Sequence, residues 1–458
     1  MIGRRSLLGS AAGTVALLNT KRAWAQGTPA PDLLVLLAYL YGYAPVAIAA
    51  TERIQTAAPD ANSVPGEAPV NQFAYIKTLA TPDAKMVIRP NADTIYTTAW
   101  LELSSQPMVL RLPAVADRYY VIPVYDAYTN QFCSFGSRTT GSAAGDYLIA
   151  GPDWSGSVPQ GITAVVRAPT PTVWMIGRTL VRGPDDLPDA VAVTTQFQLV
   201  PLDEYGTGYT PPSNVPVQPP DPLFDANPVT DAPGFRSPAF FGVMQPFILA
   251  NPPPPDQARL VQLFAPVFAN PNALTPKIVQ YALGVMDLAI VSATTKVNGW
   301  SYSLALGSYG ENYALRAAVA RYGLGANVKE DAVYASCSTD PAGNALNGAS
   351  ASYTVRFPAG QLPPVNGFWS VTVYGQDLFL VPNPINRYAV GSETGLVPDP
   401  DGAFTIQLSS TAPPPQVPQA NWLPVPAGPF SLTLRTYWPQ EPILNGSYII
   451  PPVEIAAV

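Results

Sequence analysis

Proline occupies 54 of the 458 positions and recurs along the chain from residue 29 onward. Inside a helix it removes a hydrogen bond and clashes with the preceding turn, and in a central strand it breaks the ladder. Long helices are therefore confined to the few stretches that lack it, and the rest is limited to short strands joined by turns. Charged residues make up 12% and hydrophobic ones 47%, so a loop-rich, mainly β globular protein is expected. The 23 Tyr, 16 Phe and 8 Trp supply enough apolar surface to offset chain entropy. The length exceeds one ordinary core and calls for two or three domains.

Histidine is absent, which excludes Ser-His-Asp and Cys-His catalysis, histidine-ligated metals and imidazole proton shuttles. Cys133 and Cys337 lie in different halves of the chain and read as two separate buried thiols, with one disulfide between them as the alternative. A net charge of −7 and a pI near 4.7 argue against a nucleic-acid partner. No cofactor or metal is demanded by any spacing. "DPDG" at 399–402 reads as a turn, and "GLGAN" at 323–327 as a helix stop.

Residues 1–25, with Arg4 and Arg5, a short apolar run and Ala-Trp-Ala before Gln26, read as a twin-arginine export signal. Periplasmic or secreted localisation follows as an expectation. Folded export is compatible with a homo-oligomer, and no integral membrane span is expected in the mature chain. Residues 26–72 read as an N-terminal helical segment, interrupted at Gly42 and Pro45, with a loop. Short strands then indicate a first β-sandwich over 73–210. A proline-rich connector and helical insert occupy 211–330, and strands return in a second sandwich over 331–458.

The two β regions read as two copies of one unit, with chance similarity of strand composition as the rival reading. "RYYVIPVYD" can be laid on "GFWSVTVYG" so that Tyr125 meets Tyr374. In that register Arg138 falls on Arg387, each near a Gly-Ser pair, and "WMIGRT" resembles "SLTLRT" after a different spacing.

The runs "LAYLYGYAPV", "NADTIYTTAWLEL", "RYYVIPVYDAYTNQF", "SRTTGS" and "VWMIGRT" resemble the bacterial domain of unknown function 1254. "YGENYALRAAVARYGLGAN", "DAVY", "GFWSVTVYG", "NPINRYAVGS" and "SLTLRTYWP" resemble its usual companion, domain of unknown function 1214. The resemblance implies an N-terminal immunoglobulin-like or jelly-roll β-sandwich, a helical insert and a C-terminal jelly-roll β-sandwich. It implies no catalytic residues.

Without histidine, an Asp–Tyr–Arg grouping is the natural acid/base equipment left. Asp93, Tyr96, Asp126, Arg138 and Arg178 are the candidate catalytic residues. Against this, Asn91 and Asp93 can simply close a turn before a strand. Asn91, Tyr128, Asn130, Trp369, Asn386 and Arg387 are candidate substrate-binding residues, with alternation placing Asp126, Tyr128 and Asn130 on one strand face. The rival reading of these is a hydrogen-bond network between strands or, for Trp369, core packing. The expected function is a histidine-independent hydrolase or lyase acting on an envelope, sugar or lipid-like substrate. The alternative is a non-catalytic periplasmic binding or structural envelope protein. The partner in either case is a small-molecule, glycan or lipid-like ligand.

Overall fold

The structure, a computed structural model, describes residues 30–85 and 88–456. The export-signal reading of residues 1–25 lies outside the described residues. Helices and several β-sheets share the chain, with the longer helices gathered in one apolar core and the strands in two units.

The first helix, α1 (Pro31–Gln55), runs unbroken through Gly42 and Pro45, where an interruption was expected. Burial on nearly every side explains this. Sixteen of its residues are buried, and at roughly 1.5–3 kcal/mol for each large apolar side chain that outweighs the roughly 3 kcal/mol cost of one internal proline. Gly42 has a packing reason, since a Cβ there would meet Met244 Sδ at 2.2 Å. Met244 belongs to α2 (Ala239–Ala250), a helix within the stretch read as connector. With α3 (Pro276–Ser292) and α4 (Tyr313–Tyr322), these helices share one apolar core. Among the described residues α1 is the one helix long and apolar enough to cross a membrane, but its burial marks it as a core helix.

The first β unit consists of β1 (Ala74–Ile76), β2 (Thr94–Glu102), β3 (Met108–Leu112), β4 (Tyr120–Asp126), β5 (Gln131–Gly136), β6 (Gly145–Ala150), β7 (Ala164–Arg167), β8 (Thr172–Leu180) and β9 (Gln198–Pro201). Its sheets have the orders β1-β2-β8-β4-β5 and β7-β6-β3-β9. The second unit follows β10 (Thr295–Val297) and consists of β11 (Trp300–Tyr302), β12 (Ala332–Cys337), β13 (Tyr353–Phe357), β14 (Trp369–Gly375), β15 (Ala389–Gly391), β16 (Phe404–Ser409), β17 (Trp422–Pro424), β18 (Phe430–Tyr437) and β19 (Val453–Ile455). Its orders are β10-β11-β12-β18-β14-β15 and β17-β16-β13-β19. Apart from the added β10, each strand of one unit has a counterpart ten places later in the other, including the parallel pairs β6–β7 and β16–β17.

Register fixes the correspondence residue by residue. Tyr96 and Val121 flank Arg178, while Tyr334 and Ser370 flank Arg435. Tyr125 therefore matches Tyr374, and Arg178 matches Arg435, as the internal sequence similarity suggests. The pairing of Arg138 with Arg387 is corrected. Val121 pairs with Gly136 and Ser370 with Gly391, so Gly136-Ser137 matches Gly391-Ser392 and Arg138 corresponds to Glu393. Both glycines serve a close approach, since a Cβ would meet Tyr120 O at 2.3 Å or Trp369 O at 2.0 Å. Both serines accept from the same strand's start, Ser137 Oγ from Tyr120 N and Ser392 Oγ from Trp369 N, each at 3.1 Å.

Candidate functional site

In each unit the inward face of the larger sheet joins the smaller sheet in an apolar core. Because successive side chains alternate, the other face carries Tyr96, Arg178 and Tyr125 in the first unit. In the second it carries Tyr334, Ser370, Thr372, Tyr374, Arg435 and Tyr437. These outer faces meet. The equivalent residues Tyr119 and Phe368 touch with ring centroids 5.7 Å apart, which places a pseudo-two-fold relation between the units.

The segments entering β2 and β12 cross reciprocally. Asp93 precedes β2 and Asp331 precedes β12, and their carbonyls accept from Val181 N and Trp438 N, each at 2.9 Å. The backbone entering β2 receives the second unit's donors. Arg89 O accepts from Arg435 at 2.9 Å, and Pro90 O accepts from the Tyr374 hydroxyl at 2.7 Å. The segment entering β12 does the same for the first unit, through one carbonyl and one side-chain amide oxygen. Gly325 O accepts from Tyr125 at 2.9 Å, and Asn327 Oδ1 accepts from Tyr125 at 2.9 Å and from Arg178 at 3.0 Å. Gly325 has φ +77°, and a Cβ there would lie 2.9 Å from the Trp174 ring, so glycine is required on both counts.

The two aspartates match in position and differ in surroundings. Asp331 is fully buried. It accepts from Gln131, from Ser134 at 3.2 Å, and from Arg138 in an ion pair of 2.7 Å. Asp93 accepts from Ser370 at 2.5 Å, and among the described residues it forms no ion pair. The matching position to Arg138 is Glu393, which pairs with Arg182 at 3.0 Å. Burial holds the Asp93 carboxyl above its ordinary range, against the pull of Arg435 and Ser370.

The interface also holds three guanidiniums without an ion-paired carboxylate among the described residues, of which Arg435 acts on Asp93. Arg89 donates to Thr433 at 2.7 Å, and burial together with the Arg435 charge draws its pKa down. Arg178 and Arg435 are 8% and 5% exposed and donate only to neutral acceptors. Three tyrosines complete the cluster. Arg178 lies 5.6 Å from the Tyr96 ring centroid, Tyr437 accepts from Asn91 at 2.7 Å, and Tyr334 accepts from Asn327 at 3.1 Å. Tyr96 and Tyr334 stay only half-buried, although burial is the main cause raising the Tyr334 hydroxyl. Charged groups flanked by partly accessible phenols can bind an anion and move a proton; no donor set for a metal exists among the described residues.

Asp93, Tyr96, Asn91, Arg138 and Arg178 thus come together at one interface. Asn91 closes the expected turn, its Oδ1 accepting from Asp93 N at 2.7 Å, which leaves the Asp93 side chain free of that duty. The remaining candidates lie elsewhere. Asp126 caps the β4–β5 turn, accepting from the backbone N of Tyr128 and Asn130 at 2.8 Å each. Tyr128 and Asn130 therefore follow a strand that ends at Asp126 and do not share its face. The Tyr128 ring is buried in the helical core beside Arg316, 5.2 Å from its centroid, and Asn130 accepts from Tyr309 N at 3.1 Å. Trp369 packs on Phe357 inside the second unit at 5.1 Å. Arg387 donates to the carbonyls of Gln419 and Trp422, and Asn386 beside it at φ +49° accepts from Tyr388, so their bonds are made to residues other than Asp93. Cys133 and Cys337 are free thiols, with burial pushing Cys337 up to about 11.

Sequence reasoning missed Arg89, Asn327, Tyr334, Ser370, Arg435 and Tyr437 as site residues. One signal was available: "DTIY" at 93–96 matches "DAVY" at 331–334, and extending the internal repeat to it would have paired both aspartates and both tyrosines.

Residues 70–201 match the family model described as "Protein of unknown function (DUF1254)", and residues 331–441 match "Protein of unknown function (DUF1214)". The VPA0106 protein from Vibrio parahaemolyticus has a similar fold, with 24% identity, TM-score 0.65, and coverage of 93% of this chain and 100% of that one. An uncharacterised protein from Burkholderia cenocepacia gives 13% identity and TM-score 0.44 over 99% of this chain and 96% of that one. No curated protein matches at the same standard.

Proposed function

The chain belongs to the tandem family that joins DUF1254 to DUF1214, and because that membership carries no activity with it, we propose one from the interface: a small anionic substrate is bound there and Asp93 acts on it as a general acid. The observation that carries this reading is the divergence of two matched aspartates. Asp331 is neutralised by Arg138, whereas Asp93 is left with Ser370 and a pKa raised by burial, the condition in which a carboxyl holds a proton to give away. Arg178 and Arg435 provide charge for an acidic group, and Tyr96 and Tyr437 provide neutral donors. The reaction class is hydrolysis or elimination, and acidic sugars or acyl acids of the cell envelope fit its substrate chemistry.

The second reading, binding without turnover, is favoured by the same two arginines, which need an anion whether or not chemistry follows. Export and an extracytoplasmic location are part of the proposal and rest on Arg4, Arg5 and the apolar run after them. So are the immunoglobulin-like or jelly-roll class of the first β unit and the jelly-roll class of the second, supported by two sheets sharing one core in each. A screen of acidic esters and glycosides with wild type and Asp93→Asn tests the function. Turnover that falls as pH rises and is lost in Asp93→Asn supports the acid role. Binding of acids without turnover supports the second reading, and turnover unchanged in Asp93→Asn ends the first.

A further inference from the structure

The internal two-fold relation bears on the shape of the ligand. Arg178 and Arg435 occupy the same register position on the central strands β8 and β18. They are the same element presented twice, once from each side of the interface. Each is fixed in a similar way. Arg178 donates to Asn327 Oδ1 at 3.0 Å, Ile176 O at 3.3 Å and Gly325 O at 3.4 Å. Arg435 donates to Thr372 Oγ1 at 2.8 Å, Tyr374 OH at 2.6 Å and Arg89 O at 2.9 Å. A guanidinium has five N–H donors, and these bonds account for three on each arginine. None of the acceptors carries charge.

The charge balance points the same way. Arg138 and Asp331 cancel as an ion pair, which leaves Arg89, Arg178 and Arg435 at the interface without an ion pair among the described residues, and Asp93 there without one as well. Like charges held in a poorly solvated interface repel, and an anion of matching geometry relieves that repulsion. A single acidic group satisfies one guanidinium and leaves its counterpart unpaired.

We propose that the interface takes a small molecule bearing two acidic groups, one held by Arg178 and the other by Arg435. Tyr96 and Tyr334, at matched positions beside the two arginines, supply a phenol to each end. The proposal rests on the anion-binding reading above and narrows its substrate class to bis-anionic compounds, dicarboxylates or molecules with two phosphoryl groups. The two chemistries are separated by the probes.

The test uses the full chain, with calorimetry and thermal shift against straight-chain dicarboxylates of increasing length, the matching monocarboxylates, inorganic phosphate and pyrophosphate. A dicarboxylate of one preferred length, or pyrophosphate, should bind about tenfold or more tightly than its single-headed counterpart. Arg178→Gln and Arg435→Gln should each remove that advantage. Arg178→Lys and Arg435→Lys, which keep the charge but lose the fork, serve where a Gln variant does not fold, and they should reduce the advantage. Equal binding of single- and double-headed acids, with the arginines still required, overturns the two-group proposal and leaves anion binding standing. No response to any acid, in wild type and all variants, overturns both.

Discussion

Asp93 and Arg138 make opposite predictions, because among the described residues the Asp93 carboxyl forms no ion pair and the Asp331 carboxyl forms one with Arg138. A carboxyl whose folded-state pKa lies above its unfolded value binds its proton more tightly when folded. Its stabilising contribution is therefore complete at low pH and is lost as pH rises from the unfolded value through the folded one. Asp93 is in that condition. Asp93→Asn, which still accepts from Ser370, should raise the melting temperature by roughly a few degrees at neutral pH, with the difference vanishing near pH 4 and below. Melting curves across pH for both proteins check this, and a variant less stable at neutral pH would return Asp93 to a purely structural role. Arg138→Gln should destabilise by roughly 3 kcal/mol, because it leaves the fully buried Asp331 without its cation. Glu52 on α1 offers an independent case. Burial and the neighbouring Glu102 push it up to about 7, so stability should fall as pH rises from about 4.5 to 7, by roughly 2–3 kcal/mol. Glu52→Gln should flatten that fall in a pH series of denaturant midpoints.

At the scale of elements, the segment between α4 and β12 matters most. Gly325 combines φ +77° with an approach to Trp174 that excludes a Cβ, and its carbonyl holds Tyr125 and Arg178. Gly325→Ala should cost roughly 1–3 kcal/mol and weaken acid binding together with stability, whereas Gly343→Ala, also at positive φ but in open space, should cost stability alone. The strand pattern was legible in the sequence because alternation and turn residues are local, and "NADTIY" was legible because polar residues before a strand stand out. The unbroken α1 was not, since proline and glycine signal a stop locally while burial by α2, α3 and α4 is set by distant residues. Tyr128 and Asn130 were misplaced for a similar reason: Asp126 ends its strand by capping a turn, which alternation alone does not reveal. Arg138 was matched to Arg387 because the hairpin of β14 and β15 has a different length from that of β4 and β5, and only ladder register shows where the gap falls.

Across the whole molecule, the first helix and the late helices share a core, and the two β units exchange the segments that precede β2 and β12. The halves should therefore stay together when the chain is cut. A protease site placed in the exposed stretch around residues 213–220 should yield two fragments that co-elute in native buffer and separate only in denaturant. Separation without denaturant would mean that the interface is weaker than its buried contacts imply. The pairing of the units also has an evolutionary side. In a dimer of identical chains every substitution appears at both symmetry-related places, so a change that frees one aspartate frees both. Joining the copies in one polypeptide lifts that restriction. One aspartate can become a permanent fastening while its twin is free to diverge, and the fastening holds at any protein concentration because its partner is always tethered.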